Sequence, residues 1–296
     1  MNNFIKKDDY IFKMPEGLAY DLEPNRIYRL LEERQGFDWV TVLKADGYVK
    51  EPKKYYATKN EKRFCDKIVN YYNKYDDTNV GVMLYGKQGC GKTFTAREIA
   101  RRTNLPIIIV DPSCPTNKLT KFFSDFRSDI CIIFDEFDKY VNQKWDTVPL
   151  LEFLDGIQKL SRKLVIFTCN DEKVFNEFML DRPTRIRYYR KFEVVDTDLI
   201  KEIVEDSLED KNRIDEVTNY IRNNINLPSY DIVTSFIKEV NDNPEDGLSE
   251  LASDMNINTS ALKSDNNKNQ KNKKNPKTKD ACFEDGILCD PQFDNN

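Results

Sequence analysis

Histidine is missing from all 296 residues, and the seven cysteines (Cys65, Cys90, Cys114, Cys131, Cys169, Cys282, Cys289) include no C-x-x-C pair. Those two absences remove the ligand sets from which zinc sites are usually built. Several of the cysteines sit inside apolar runs, where a free thiol behaves as a small hydrophobe, so core packing in a reducing compartment is expected. No apolar run reaches the ~20 residues that span a bilayer, and the polar stretch from Met1 to Asp9 holds no apolar signal segment. A cytoplasmic chain with no membrane partner is the resulting expectation. A strong excess of one charge is also lacking: 46 Lys and Arg stand against 51 Asp and Glu, a net charge of −5. That balance argues against a surface that is one large nucleic-acid footprint, although a local basic patch is compatible with it.

What is present is a charged, foldable chain, with 39% hydrophobic, 12% aromatic and 33% charged residues, long enough to bury a substantial core. Residues 1–56 carry short β-prone runs, Arg26 to Leu31 and Trp39 to Leu43, broken near Gly36 and Gly47. They read as a small β-rich N-terminal unit. Phe64, Ile68, Tyr71 and Tyr72 recur at helical spacing between Asn60 and Tyr75. Residues 57–195 then alternate strand-like runs (Val80 to Tyr85, Ile107 to Val110, Ile130 to Phe134, Leu164 to Thr168) with helical stretches from Lys92, near Lys118 to Phe126, and from Leu150 to Leu160. Unbroken apolar strands between helices predict a doubly wound parallel α/β sheet. Residues 196–241 are helical throughout, with apolar positions such as Leu199, Ile203, Val217, Ile221, Val233 and Phe236. From 242 to 296 periodicity fades into Asn and Lys, then acids, and the reading is a disordered tail.

The chemistry begins at Gly86-Lys87-Gln88-Gly89-Cys90-Gly91-Lys92-Thr93, which fits G-x-x-x-x-G-K-[ST] between an apolar strand and a helix. Glycines let successive backbone N–H groups curl around an anion at the positive end of the helix; Lys92 reaches the outer phosphates, and the Thr93 hydroxyl ligates Mg²⁺. ATP and Mg²⁺ are the ligands expected. Asp135 and Glu136 end the Ile130 run, where ligands bind in open α/β sheets. Asp135 would hold Mg²⁺, and Glu136 would polarise an attacking water as general base. Asp138 is assigned to the surface. Asn170, after the Leu164 run, offers an amide to water and terminal phosphate. Taken alone, each of these acids and amides could equally be a strand-closing turn.

In this order, followed by Asp181-Arg182-Pro183-Thr184-Arg185 and a helical segment, these elements resemble the AAA+ ATPases, specifically the clade with a strand-end Asn and an R-P-G-R box. The likeness covers roughly Tyr56 to Asn241. It implies a P-loop α/β core with a helical lid, a homo-oligomeric ring, commonly hexameric, and Arg182 and Arg185 as arginine fingers reaching a neighbour's γ-phosphate. Thr184 stands where the family has Gly. A finger acting in trans requires head-to-tail assembly. The stretch Leu227 to Ile237 resembles the lid segment that approaches adenine, while the second-sensor arginine of other branches has no counterpart.

The short stretch 111–129 lacks the aromatic pore loop of peptide-threading relatives. In that respect, and in Leu154-Asp155-Gly156, the core is similar to mitochondrial AAA proteins that assist respiratory-complex assembly. The compact layout resembles small single-module bacteriophage ATPases. The implied work is remodelling of a protein or protein–nucleic-acid assembly. The rival reading is a DNA-associated motor or helicase loader using the lysine-rich run 263–279 for phosphate contacts; a scaffold in which hydrolysis is incidental is a third, and Glu136 weighs against it.

Overall fold

The protein is described here as a computed structural model covering residues 4–7, 10–13, 21–35, 38–51, 54–124, 126–142, 148–155, 161–171, 173, 182, 184–193 and 195–259. The chain opens with strands β1 (Phe4–Lys7), β2 (Tyr10–Lys13), β3 (Arg26–Gln35) and β4 (Asp38–Tyr48), then helix α1 (Lys59–Lys74). Thr58 and Glu61 start α1 with a reciprocal cap: Glu61 N–H donates to Thr58 Oγ1 at 3.2 Å, and Thr58 N–H donates to Glu61 Oε2 at 2.8 Å, which satisfies two donors the first helical turn would leave open.

Alternating elements follow: β5 (Val80–Gly86), α2 (Lys92–Thr103), β6 (Ile107–Val110), α3 (Thr116–Ser124), β7 (Ile130–Phe134), α4 (Asp138–Asn142), α5 (Val148–Asp155), β8 (Lys163–Cys169) and β9 (Tyr188–Phe192). Among the described residues nine strands form one sheet in the order β1-β2-β4-β3-β6-β7-β8-β5-β9. The six strands from β3 to β9 in that order pair in parallel. All residues of β7 and β8 are buried, as befits strands covered on both faces. On one face α1 and α2 pack Cys65, Ile68, Tyr72, Ala96 and Ile99 against the sheet. On the other, Leu119, Phe123, Phe137, Tyr140, Leu150 and Leu154 form the second layer. The doubly wound α/β core expected from the strand rhythm is therefore present.

The β-rich N-terminal segment joins this sheet. β3 lies parallel to β6, with Ile27 opposite Ile107 and Leu30 opposite Val110, and Asp111 N–H donates to Leu30 O at 2.9 Å. Tyr28, Leu30 and Leu43 are buried in the same apolar cluster as Phe123 and Phe134. A strand in contact with β6 was not legible locally, because such pairing is set by tertiary contact.

The helical segment comprises α6 (Thr197–Ser207), α7 (Ile214–Asn224), α8 (Tyr230–Asp242) and α9 (Leu248–Asp254). It extends past residue 241, where the sequence reading placed a disordered tail. Leu248, Leu251, Ala252 and Ile257 share a core with Ile203, Val217 and Phe236, and Ile225 bridges Thr259. The run 263–279, the acidic end 280–296, Cys282 and Cys289 lie outside the described residues. Cys65, Cys114, Cys131 and Cys169 are buried free thiols and Cys90 is half-buried, matching their expected role as core residues. No described helix is long and apolar enough to cross a membrane.

Gly81, in mid-β5, sits where β9's lead-in passes: an alanine Cβ there would lie 1.8 Å from the Arg185 carbonyl oxygen, and Arg187 N–H donates to Gly81 O at 2.9 Å. Gly81→Ala should therefore lower stability by about 1–3 kcal/mol through overpacking, read as a reduced thermal midpoint by circular dichroism. An unchanged midpoint would show that the two segments are not in this close contact.

Candidate phosphate site and its catalytic surroundings

The carboxyl ends of β5, β7 and β8 lie side by side because β8 pairs with both others. β5 releases the loop Gly86 to Thr93, and α2 begins at Lys92 with Gly91 as its cap in the left-handed region (φ 88°). Gly89 has φ 77°, and a Cβ at this position would come within 2.9 Å of both Ser229 Oγ and Asp231 Oδ2. Glycine is thus required twice over here, for conformation and for the approach of the α8 N-terminus. Lys87 and Gln88 are exposed, and Cys90 and Thr93 are partly buried.

Lys92 is buried, and its Nζ donates to Gly86 O at 2.6 Å, to Lys87 O at 2.7 Å and to Asn170 Oδ1 at 3.0 Å. Burial lowers its pKa from the ordinary lysine value, while Asp138 and Asp135 oppose that shift. A cation folded onto its own loop carbonyls is a cation a phosphate can recruit, since charge-assisted bonds to phosphate are the stronger ones. Thr93 Oγ1 donates to Asp135 Oδ1 at 2.8 Å. A hydroxyl and a carboxylate converging beside a phosphate loop make an oxygen donor set that fits Mg²⁺.

Glu136 follows in the left-handed region at φ 54°, an unusual place for a residue with a Cβ, costing about 1–2 kcal/mol. Its carboxylate pairs with Lys139 one turn on and it lines a cavity of about 1010 Å³. That cavity also reaches Lys92, Thr93 and Asn170, together with Tyr56, Tyr230 and Asp231. The lid stretch expected near the base, Leu227 to Ile237, therefore contributes Tyr230 and Asp231 to its lining. Tyr56 is held to the lid as well: its hydroxyl donates to Asp206 Oδ2 at 2.9 Å, and Lys54 pairs with Glu202 at 3.0 Å and with Asp206. Tyr55, which lines the same cavity, stacks on Phe94 of α2 at 5.3 Å between centroids.

Two residues at this site were passed over in the sequence. Asp138, assigned to the surface, is only partly exposed. Its Oδ1 accepts the Asn170 backbone N–H at 2.8 Å, and its Oδ2 accepts Asn170 Nδ2 at 3.0 Å, so the amide turns Oδ1 toward Lys92. Thr168, two residues before Asn170, donates to Asp135 Oδ1 at 2.6 Å and accepts Glu136 N–H at 2.8 Å. The acid in Asp-Glu-Phe-Asp was a visible signal for the first; the second carried none beyond a hydroxyl among apolar strand residues.

The two arginines differ. Arg185 is 11% exposed and grips Asp155 at the end of α5 through Nε at 2.8 Å and a second nitrogen at 2.7 Å. That bond holds the Asp155 carboxyl below its usual range. Arg182 is 64% exposed and only 3.5 Å from the same carboxylate.

Residues 82–194 match the family described as ATPase family associated with various cellular activities (AAA). The ATPase family gene 2 protein of Schizosaccharomyces pombe is 30% identical over 125 residues, covering 36% of this chain and 15% of that protein. A Dictyostelium discoideum protein named "Putative ribosome biogenesis ATPase nvl" is 31% identical over 138 residues, 39% of this chain and 16% of its own length. The chain thus aligns with less than a fifth of either relative. The match opens in β5 and closes just past β9, spanning every strand that builds the phosphate site, so that this part of the chain is similar to the AAA ATPases.

Proposed function

We propose that this chain binds and hydrolyses ATP in a head-to-tail homo-oligomeric ring, a hexamer, and uses the energy to remodel a protein or protein–nucleic-acid assembly. The observation that carries the hydrolytic reading is the pair of bonds across the loop, Thr93 to Asp135 at 2.8 Å and Lys92 to Asn170 at 3.0 Å. They link side chains from three neighbouring strand ends. Backbone N–H groups from Gly86 to Thr93 cradle the β-phosphate, and Lys92 exchanges its loop carbonyls for the outer phosphate oxygens. Thr93 and Asp135 would hold Mg²⁺, which when bound would neutralise phosphate charge. Glu136 leaves Lys139 and takes a proton from the attacking water, while Asn170 orients that water.

Arg182, exposed at the surface, supplies positive charge to the neighbouring subunit's γ-phosphate; Arg185 accompanies it in the same segment. A cytoplasmic setting suits the free thiols. The Dictyostelium relative's name speaks of ribosome biogenesis, which supports a nucleoprotein among the substrates.

Lys92→Ala should lose nucleotide binding in a fluorescent-analogue titration. Glu136→Gln should keep binding and lose hydrolysis by about 10²–10⁴-fold, the usual contribution of a general base; normal turnover in this variant would remove Glu136 from that role. Arg182→Ala should bind ATP yet hydrolyse about 10³-fold more slowly, at the lower end for an arginine finger. Mixing it with Glu136→Gln should restore activity that neither variant has alone, because each supplies what the other lacks across a subunit boundary. An inactive mixture that still forms rings would count against a shared site. For the substrate class, unfolded protein or a nucleoprotein should raise the ATPase rate more than naked DNA does; stimulation by DNA alone that fades with added salt would favour a DNA motor instead.

A further inference from the structure

Thr168 is a hydroxyl residue in the penultimate position of a fully buried strand, between Phe167 and Cys169, and none of its surface is exposed. A hydroxyl there must find partners inside the protein. It has two, and the direction of each is settled by chemistry. The Asp135 carboxylate can only accept, so the Thr168 proton goes to Asp135 Oδ1 at 2.6 Å, and a Thr168 lone pair receives the Glu136 N–H at 2.8 Å. The Thr168 carbonyl takes the next N–H, that of Phe137, at 2.7 Å. Three consecutive residues, 135 to 137, are therefore stitched to one residue of the neighbouring strand.

Glu136 is also the residue forced to positive φ. A conformation that an L-residue resists persists only where its surroundings over-determine it, and the two flanking N–H bonds to Thr168 supply that determination. Asp135 Oδ1 meanwhile accepts from both Thr93 and Thr168, so hydroxyls from the start of α2 and from β8 hold the same carboxylate oxygen.

We propose that Thr168 is a positioning residue for ATP hydrolysis: its hydroxyl sets the left-handed turn that aims Glu136 into the cavity and orients Asp135 for the metal. This inference rests on the hydrolytic reading above. Thr168→Val keeps shape and removes the hydroxyl, leaving the Glu136 N–H unpaired. It should lower kcat by about 10–100-fold, the scale seen when supporting partners of a site are removed. KM for ATP and nucleotide affinity should stay within about twofold, because Lys92 and the loop are untouched. Thr168→Ser, which retains the hydroxyl, should restore kcat to within about threefold of the parent.

The Mg²⁺ concentration for half-maximal rate should rise in the valine variant and return in the serine one. A purely structural role would instead lower the thermal midpoint in both variants without this split. Wild-type kcat in Thr168→Val, with Glu136→Gln inactive in the same assay, would overturn the proposal and leave the hydrolytic reading standing. Normal hydrolysis by Glu136→Gln would overturn the reading itself. Should the valine protein fail to fold, Thr168→Cys makes the comparison with a weaker hydrogen-bonding group of similar size; full kcat there, or a serine variant as slow as cysteine, would equally overturn the proposal.

Discussion

Parallel pairing of β8 between β7 and β5 is the constraint on which the site depends. In a parallel sheet all strands end on one side, and their last backbone groups have no further ladder partners. Residues that leave the sheet there are both close together and free to take irregular conformations. Leu84 and Tyr85 face Thr168 and Cys169, while Phe134 faces Phe167, so Gly86, Asp135 and Asn170 are brought to one edge by register alone. Shifting either pairing by one residue would turn the inward side chains outward and separate Thr93 from Asp135. Apolar packing on both faces, through Ile99 and Cys131 on one side and Phe134 and Phe137 on the other, holds that register.

On this edge the chain trades local comfort for placement. Lys92 is buried at the cost of a pKa lowered by desolvation, with its Nζ held by two loop carbonyls. Glu136 sits at positive φ, and Asn170 is clamped by Asp138 through both backbone and side chain. Each is a small cost, met by the rigid strands beneath. The same division holds for the arginines, where Arg185 is spent on a two-pronged bond to Asp155 and Arg182 is left near the surface.

What the sequence disclosed follows from the range of the physics involved. The phosphate loop was legible because its requirements are local: glycines at positive φ and a lysine and threonine opening a helix. The buried strands were legible because continuous apolar runs leave few alternatives. β9 was not foreseen, since Tyr-Tyr-Arg-Lys-Phe alternates in exposure and contains two cations. The roles of Thr168 and Asp138 were missed for a different reason, as their value lies in partners 30 or so residues away on adjacent elements. The union of β3 with β6 is likewise a long-range choice, and the helix α9 was hidden by its short length in a polar stretch.

The join between β3 and β6 has a practical side. A polypeptide trimmed to begin at α1 would strip β6 of its neighbour and leave a four-residue row of backbone donors and acceptors from Ile107 to Val110 open to solvent. An apolar, unpaired strand edge of this kind recruits other chains. The first strands thus cover an edge of the unit that carries the phosphate loop, and a fragment that keeps this cover starts before Arg26.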